Sequence, residues 1–156
     1  MQPKYSINEI ERRWLVCESA LEGLPDVPPT RITDKYLHGS RLRLRKVESE
    51  NSATIFKLCK KYGNRQGPAE SITNLYLDAA EYDQLSLLPG ATIVKLRYGV
   101  EDGSMDVFES HTTIPTIFEK DFADEAQAAA YCPPHFVDQE ITGLENYSGA
   151  YLARNH

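Results

Sequence analysis

Charged and apolar residues alternate along several short stretches of this chain. The first stretch places Glu9, Glu11 and Arg13 at alternate positions, with Trp14 and Val16 at intervening ones. Alternate side chains of a β-strand point to the same face, so this pattern predicts a strand with one charged face. The charged row either faces solvent or lines a polar cavity, and one strand does not decide between these interpretations.

Similar patterns predict about eight short strands, mostly joined by hairpin connections. The predicted strands cover residues 8–16, 30–37, 41–46, 54–61, 71–77, 92–100, 105–109 and 116–122, and a last extended stretch covers 137–142. Within 41–46, cations and leucines alternate strictly, which favours a strand with one leucine face and one arginine face. An antiparallel barrel or a curled sheet is therefore the economical architecture.

A few short helices accompany the predicted strands. Asp78 and Glu81 form a capping box that opens a helix ending near Leu88. Asp124 caps a second helix that runs to about Tyr131. We therefore predict an α+β, mainly β fold: an eight-stranded antiparallel β-barrel with a few short helices. At 156 residues, the chain is expected to form a single domain, residues 1–156.

Composition narrows the class of protein. The net charge of −6 and the isoelectric point near 5.2 argue against a general nucleic-acid binder. No apolar run is long enough for a transmembrane helix, and the N-terminus lacks an export signal, so no membrane partner is expected. Cys17, Cys59 and Cys132 are odd in number and far apart, which favours a reducing, cytoplasmic setting.

On six predicted strands, the charged residues fall at alternate positions. The cations are Arg13, Arg43, Arg45, Lys60, Lys95 and Arg97, and the carboxylates are Glu9, Glu11, Asp106, Glu119 and Asp121. If these side chains share one cavity, its walls suit a polyanion that is accompanied by a divalent metal. Arginine forks bind phosphate oxygens, and Mg²⁺ or Mn²⁺ takes carboxylate, phosphate and water oxygens. A barrel of about eight strands can hold one small ligand.

Residues 9–16 are similar to the Glu-x-Glu-x-Lys signature of the CYTH, or triphosphate tunnel metalloenzyme, family. Further stretches match in order: Tyr36-Leu37, Leu42–Arg45, the strand of Lys60, Lys95–Tyr98, Met105–Phe108, Glu119–Phe122, and Glu140–Thr142 followed by Tyr147-Ser148. The resemblance covers nearly the whole chain. It implies an eight-stranded antiparallel tunnel that binds triphosphate-containing compounds with a divalent metal. Activities in the family include hydrolysis of inorganic triphosphate, hydrolysis of organic triphosphates and cyclisation of ATP.

The resemblance also implies roles for individual residues. The implied metal ligands are Glu9, Glu11, Glu119, Asp121 and Asp106; the implied phosphate-binding residues are Arg13, Tyr36, Arg43, Arg45, Lys60, Lys95 and Arg97; the implied catalytic residues are Glu9, Glu11, Arg13 and Lys95. Arg13 replaces the signature lysine, which keeps the charge but substitutes a wider fork for a compact ammonium. Asp121 replaces the more usual glutamate and is one methylene shorter.

One strand departs from the family pattern. Family hydrolases often carry a second Glu-x-Glu pair in the strand before the first helix. Counted back from Asp78, these positions are Ile72 and Asn74, and Glu70 is expected to reach the site only in a shifted register. If the pair is lost, a second metal or the attacking water has fewer anchors.

Three functions remain open at this point. The resemblance favours a metal-dependent hydrolase of triphosphate compounds, with inorganic tripolyphosphate as substrate, Mg²⁺ or Mn²⁺ as cofactor, and phosphoryl transfer to water as the reaction. The alternatives are a nucleotidyl cyclase of the adenylate cyclase type and a non-catalytic module that binds polyphosphates or organophosphates. The expected partner is a triphosphate-containing small molecule and not a nucleic acid, and the expected state is a monomer or homodimer.

Overall fold

The computed structural model describes residues 2–109 and 113–156. Its strands are β1 (Ile7–Val16), β2 (Thr30–Leu37), β3 (Leu42–Glu48), β4 (Ile55–Lys61), β5 (Ala69–Leu77), β6 (Gly90–Val100), β7 (Gly103–Phe108), β8 (Ile117–Asp121) and β9 (Val137–Glu140). The α-helices are α1 (Ala79–Ser86), α2 (Glu125–Ala130) and α3 (Gly149–Asn155), and 3₁₀ turns cover Glu18–Gly23 and Glu145–Tyr147. In these ranges no helix has the length and apolarity to span a bilayer.

Eight of the strands close into an antiparallel barrel. The order is β5-β4-β3-β2-β6-β7-β8-β1, and β1 returns to β5 to close the ring. Closure is possible because β1 is long: residues 7–10 pair with β5, and residues 11–15 pair with β8. The short β9 adds outside the ring, against the end of β1. The predicted eight-stranded antiparallel barrel is thus confirmed.

The helices begin where the sequence predicts. Asp78 accepts a hydrogen bond from the backbone N–H of Glu81, and the Glu81 side chain accepts one from the N–H of Asp78. Asp124 caps α2 by accepting from the backbone of Gln127. α1 and α2 end one or two residues earlier than predicted, which is within the usual fraying of helix ends.

The apolar core has two parts, one outside the barrel wall and one on its inner face. Trp14 and Phe118 project from the outer faces of β1 and β8, with ring centroids 5.9 Å apart. Tyr131, at the end of α2, covers Trp14 at a centroid distance of 5.7 Å. A second cluster packs Ile93, which lies on the inner face of β6 opposite Asp34 of β2, against Leu152 of α3. α2 thus covers the outer face of the wall, whereas α3 covers one part of the inner face, and the rest of the inner face is left for polar residues.

Candidate functional site

Charged side chains line the inside of the barrel. Residues directly opposite each other in neighbouring strands share a face, and the pairing therefore identifies the inner row from β1 around to β8. Its charged members are Glu9, Glu11, Arg13, Asp34, Arg43, Arg45, Lys57, Lys61, Glu70, Lys95, Arg97, Asp106, Glu119 and Asp121. The charged row of β1 thus lines a polar cavity instead of facing bulk solvent. All eight strands of the ring contribute to it.

Four carboxylates gather where β1 meets β8. Glu11 lies opposite Asp121, and Glu9 continues the row along β1. Burial, followed by repulsion from Glu119, raises the pKa of Glu11 to about 7. Burial and the neighbouring Glu9 and Glu119 also raise the pKa of Asp121. These acids destabilise each other's charged forms, so the cluster favours a bound cation.

Glu119 belongs to a second group, built around Asp106. Asp106 is 0% exposed, and Arg97 donates to it through Nε at 2.7 Å while Lys95 donates to its other oxygen. Arg97 also bridges to Glu119, and Arg13 donates to Glu119 at 3.0 Å. Although burial opposes ionisation, Lys95, Arg97 and Arg13 hold the pKa of Glu119 well below its ordinary value. Both Asp106 oxygens are therefore occupied by cations, which places Asp106 among the residues that position them.

Asp34 anchors the arginines of β3, a role that the sequence analysis missed. Arg45 binds Asp34 with two hydrogen bonds of 2.6 Å, and Arg43 Nε lies 3.7 Å from the same carboxylate. Burial opposes ionisation, but the two arginines hold the pKa of Asp34 far below its ordinary value. Arg43 Nε is buried and has no hydrogen-bond partner among the described residues. A donor left in that state is suited to an anionic ligand.

In β4 the prediction chose the wrong face. Lys57 lies opposite Arg45 and therefore faces inward, as does Lys61, whereas Lys60 lies on the outer face. The outer position of Phe56, which packs on Tyr82 of α1 at 4.7 Å, fixes this choice. The signal was present in the sequence: Phe56 shares its face with Lys60, and a large aromatic ring belongs against a covering helix.

Lys57 and Lys61 have different surroundings. Lys61 contacts Glu9 at 3.1 Å and Glu70 at 3.4 Å. Lys57 has no carboxylate partner in residues 2–109 and 113–156. Burial, followed by repulsion from Arg45 and Arg43, lowers the pKa of Lys57. An added anion would relieve that repulsion.

β5 begins earlier than predicted and supplies Glu70. The strand starts at Ala69 because it must pair with β1, and Glu70 lies opposite Glu9. Glu70 is two residues before Ile72, so it faces inward without any shift of register. Arg65 holds it at 3.0 Å. Ile72 and Asn74 also face inward, and the buried side-chain oxygen of Asn74 has no hydrogen-bond partner in the part of the chain that the structure describes.

The C-terminal segment closes against one side of the inner face. Tyr36 lies on the inner face of β2, and a Cβ at Gly149 would lie 1.9 Å from its hydroxyl oxygen. Arg13 donates to the Tyr147 carbonyl at 2.9 Å. Burial and the Asp34 carboxylate raise the pKa of Tyr36. Its hydroxyl is therefore kept protonated beside α3.

Comparisons with known proteins point to one kind of fold. The chain is 28% identical to the inorganic triphosphatase of Nitrosomonas europaea over 157 residues, covering 94% of this chain and 97% of that protein. No protein-family model matches the chain.

Solved structures give the same picture. The crystal structure of the inorganic triphosphatase NE1496 has a TM-score of 0.55 and 22% identity, covering 94% of this chain and 95% of that one. The structure of the PH1819 protein from Pyrococcus horikoshii OT3 has a TM-score of 0.54 and 17% identity, covering 94% of this chain and 96% of that one. With the closed barrel and its charged inner face, these comparisons confirm the predicted resemblance: the chain has the fold of the CYTH, or triphosphate tunnel, family.

Proposed function

We propose that the chain is a divalent-metal-dependent triphosphatase and that its substrate is inorganic tripolyphosphate. The observation that carries the proposal is an inner face whose cations are incompletely paired within the described residues, since a buried guanidinium donor lacks a hydrogen bond and a half-buried ammonium lacks a carboxylate. Arg43 Nε lacks a hydrogen bond, and Lys57 lacks a carboxylate. Burying such groups without an anion is costly. The near full-length similarity to an inorganic triphosphatase supports the same substrate class.

The proposed phosphate-binding residues surround the cavity. They are Arg13, Tyr36, Arg43, Arg45, Lys57, Lys61, Lys95 and Arg97. Lys60 is removed from the set because it lies on the outer face. Guanidinium forks offer two parallel donors to a phosphate, and lysines add point charges, so the combination matches a chain of phosphate groups.

The proposed metal ligands are Glu9, Glu11, Glu119 and Asp121. Their chemistry fits Mg²⁺ or Mn²⁺, which prefer hard oxygen ligands. Burial and repulsion from Glu119 raise the pKa of Glu11, so a metal cation there would stabilise its charged form. No ready-made cluster of three or more metal-ligating side chains lies within residues 2–109 and 113–156. Phosphate and water oxygens would therefore complete the coordination. Asp106 is not among the proposed ligands, because it is 0% exposed and Lys95 and Arg97 bind it. Glu119 is also bound by arginines, but it lies close enough to Glu11 to raise the pKa of that acid, so it stays in the set.

The proposed reaction is attack of water on a terminal phosphoryl group. A bound metal would supply charge neutralisation and an activated water. Arg13, Lys95 and Arg97 would neutralise the charge that develops on the phosphate oxygens, and Asp106 and Glu119 hold these cations in position. Glu70 provides a further inward carboxylate near Glu9. No side-chain nucleophile is required.

The test compares two adjacent residues of β3. Arg45→Ala removes an inward guanidinium, and Lys46→Ala removes a neighbouring cation that pairs with Glu48 outside the barrel. Phosphate release from tripolyphosphate with Mg²⁺ or Mn²⁺ should fall by about 10²–10³-fold in the first variant and stay near the wild-type rate in the second. Lys57→Ala, which breaks no ion pair, should raise KM without loss of folding. Wild-type rates in Arg45→Ala and Lys57→Ala would refute the assignment.

The same assay separates the alternatives. Release of pyrophosphate with a cyclic nucleotide product from ATP would select a nucleotidyl cyclase. Tight binding of tripolyphosphate without turnover would select a non-catalytic module, which the absence of acids at Ile72 and Asn74 would explain. We also propose a cytoplasmic setting, in which Cys17, Cys59 and Cys132 stay reduced, and a monomer or homodimer.

A further inference from the structure

A second basic feature lies outside the barrel. An open cleft of about 540 Å³ is lined by His38, Gly39, Ser40, Arg41, Lys60 and Arg154. Its volume lies in the range of small-molecule sites. The lining includes three permanent cations and no carboxylate. This concentration of positive charge runs against the net charge of −6.

The three cations come from separate parts of the fold. Arg41 lies at the end of the β2–β3 turn, Lys60 lies on the outer face of β4, and Arg154 lies in the last turn of α3. Arg41 and Lys60 are held together because Lys60 pairs with Leu42 and the N–H of Lys61 donates to the Arg41 carbonyl at 3.1 Å. The cluster therefore exists only in the folded chain.

Arg41 is also fixed from the side. Gly63 has a φ of +68°, and a Cβ built on it would lie 1.0 Å from Arg41 Nη1. The guanidinium thus occupies the space that any other residue at position 63 would fill. α3 is fixed in turn by Leu152, which is buried in the core cluster with Ile93. The two arginines are therefore presented by ordered parts of the chain.

These cations have no counter-charge. Within residues 2–109 and 113–156, Arg41, Lys60 and Arg154 form no salt bridge, whereas Arg45 and Arg97 inside the barrel are paired with carboxylates. Like charges that share a cleft repel each other, and an anion with several charges would relieve this. Two guanidinium forks and one ammonium suit phosphate oxygens.

We infer that this cleft is a second anion site, separate from the barrel interior, that binds multiply charged phosphate compounds such as pyrophosphate or short polyphosphates. A ligand there would join the β2–β3 turn and β4 to α3. Its affinity rests on charge at a half-open surface, so binding should weaken strongly as salt is raised. The site is independent of the reaction proposed for the interior.

Calorimetric titration of inorganic tripolyphosphate in EDTA and low salt tests this inference. Wild-type protein should bind two equivalents of tripolyphosphate. Arg41→Ala/Arg154→Ala should bind one equivalent, because it loses the cleft site, and Arg45→Ala/Lys57→Ala should bind one, because it loses the interior site. Lys4→Ala/Lys46→Ala, which removes two exposed charges elsewhere, should keep both sites. Arg41→Lys/Arg154→Lys preserves the charge and should restore the second site with weaker affinity, which guards against a folding artefact in the alanine variant.

Each outcome separates the two proposals. Equal stoichiometry and affinity in wild type and Arg41→Ala/Arg154→Ala would overturn the cleft site. One equivalent in wild type and none in Arg41→Ala/Arg154→Ala would support the cleft and show that the interior does not bind tripolyphosphate without a metal. If Lys4→Ala/Lys46→Ala also lost one equivalent, the loss of binding would depend on net charge alone, and the cleft site would be overturned.

Discussion

The titration of Glu11 connects the charged interior of the barrel to a measurable quantity, the pH dependence of the free energy of unfolding. Its side chain is 16% exposed and lies 3.6 Å from Arg13. Burial and repulsion from Glu119 nevertheless raise its pKa from 4.5 to about 7. Without metal, the folded protein therefore holds a proton on Glu11 at pH values where the unfolded chain has released it. Glu11→Gln, which mimics the protonated side chain, removes this titration.

The size of the expected change in unfolding free energy follows from the interval between the pKa of Glu11 in the unfolded chain and its pKa in the folded protein. Each pH unit corresponds to about 1.4 kcal/mol, so the interval from 4.5 to about 7 corresponds to about 3 kcal/mol. The sign is fixed by linkage: the folded state binds more protons than the unfolded state in this window. The contribution of protonated Glu11 to the free energy of unfolding is fully present below pH 4.5 and is lost as pH rises through about 7. Relative to Glu11→Gln, the metal-free wild type should therefore lose about 3 kcal/mol of unfolding free energy.

Urea unfolding in EDTA at pH 3.0, 4.5, 5.5, 6.5 and 7.5 measures this difference. Glu140→Gln provides a control of opposite sign, because the hydrogen bond from Arg12 lowers the pKa of Glu140. The free energy of unfolding of wild type should exceed that of Glu140→Gln at neutral pH, and this difference should disappear as pH falls through the lowered pKa of Glu140. A pH-independent difference between wild type and Glu11→Gln would show that Glu11 is ionised in the metal-free barrel. That result would refute the view that these acids need a cation.

Three further perturbations test other parts of the molecule. Trp14→Ala should cost about 3–5 kcal/mol of unfolding free energy, read from urea midpoints, because it empties the core between β1 and α2; a loss below 1 kcal/mol would contradict that packing. Asp34→Asn should lower the unfolding free energy by about 3–5 kcal/mol, because it breaks the buried pair with Arg45. In thermal melts, tripolyphosphate should stabilise this variant more than it stabilises wild type. Equal stabilisation of the two proteins would count against phosphate binding next to Arg45. Gly149→Ala should lower Tm because its Cβ meets the Tyr36 hydroxyl, and adding Tyr36→Phe should recover part of the loss; an unchanged Tm would mean that α3 is displaced at little cost.

Local patterns predicted most of the barrel. Alternation alone placed Glu9, Glu11 and Arg13 on one face of a strand, and turn and capping signals divided the chain correctly around α1. The inference that cations and acids converge depended on two observations. Several strands carry charged residues at alternate positions, and the chain resembles a known family. Both pointed to a closed barrel, which the pairing of β1 with β5 confirms.

The structure corrected the choices that strand periodicity leaves open. In β4, both alternate sets contain lysine and apolar residues, so alternation alone did not tell Lys60 from Lys61, although the aromatic ring of Phe56 on the Lys60 face indicated the covered side. The covering helix α1 decided it, since Phe56 must be on the outside. Glu70 was expected to need a shifted register, because the start of β5 is set by its partner β1 and not by its own sequence.

Sequence by itself determined which residues share a face of each strand, since side chains alternate regardless of what surrounds them. Only the tertiary structure decided which face became the interior. That choice depends on where α1 and α2 cover the outer wall and α3 packs against the inner face. It also depends on pairings such as that of Asp34 with Arg45, which lie on different strands. The outer cleft of Arg41, Lys60 and Arg154 shows the same limit: residues that are separated along the chain acquire a common environment only when the barrel closes and α3 packs against it.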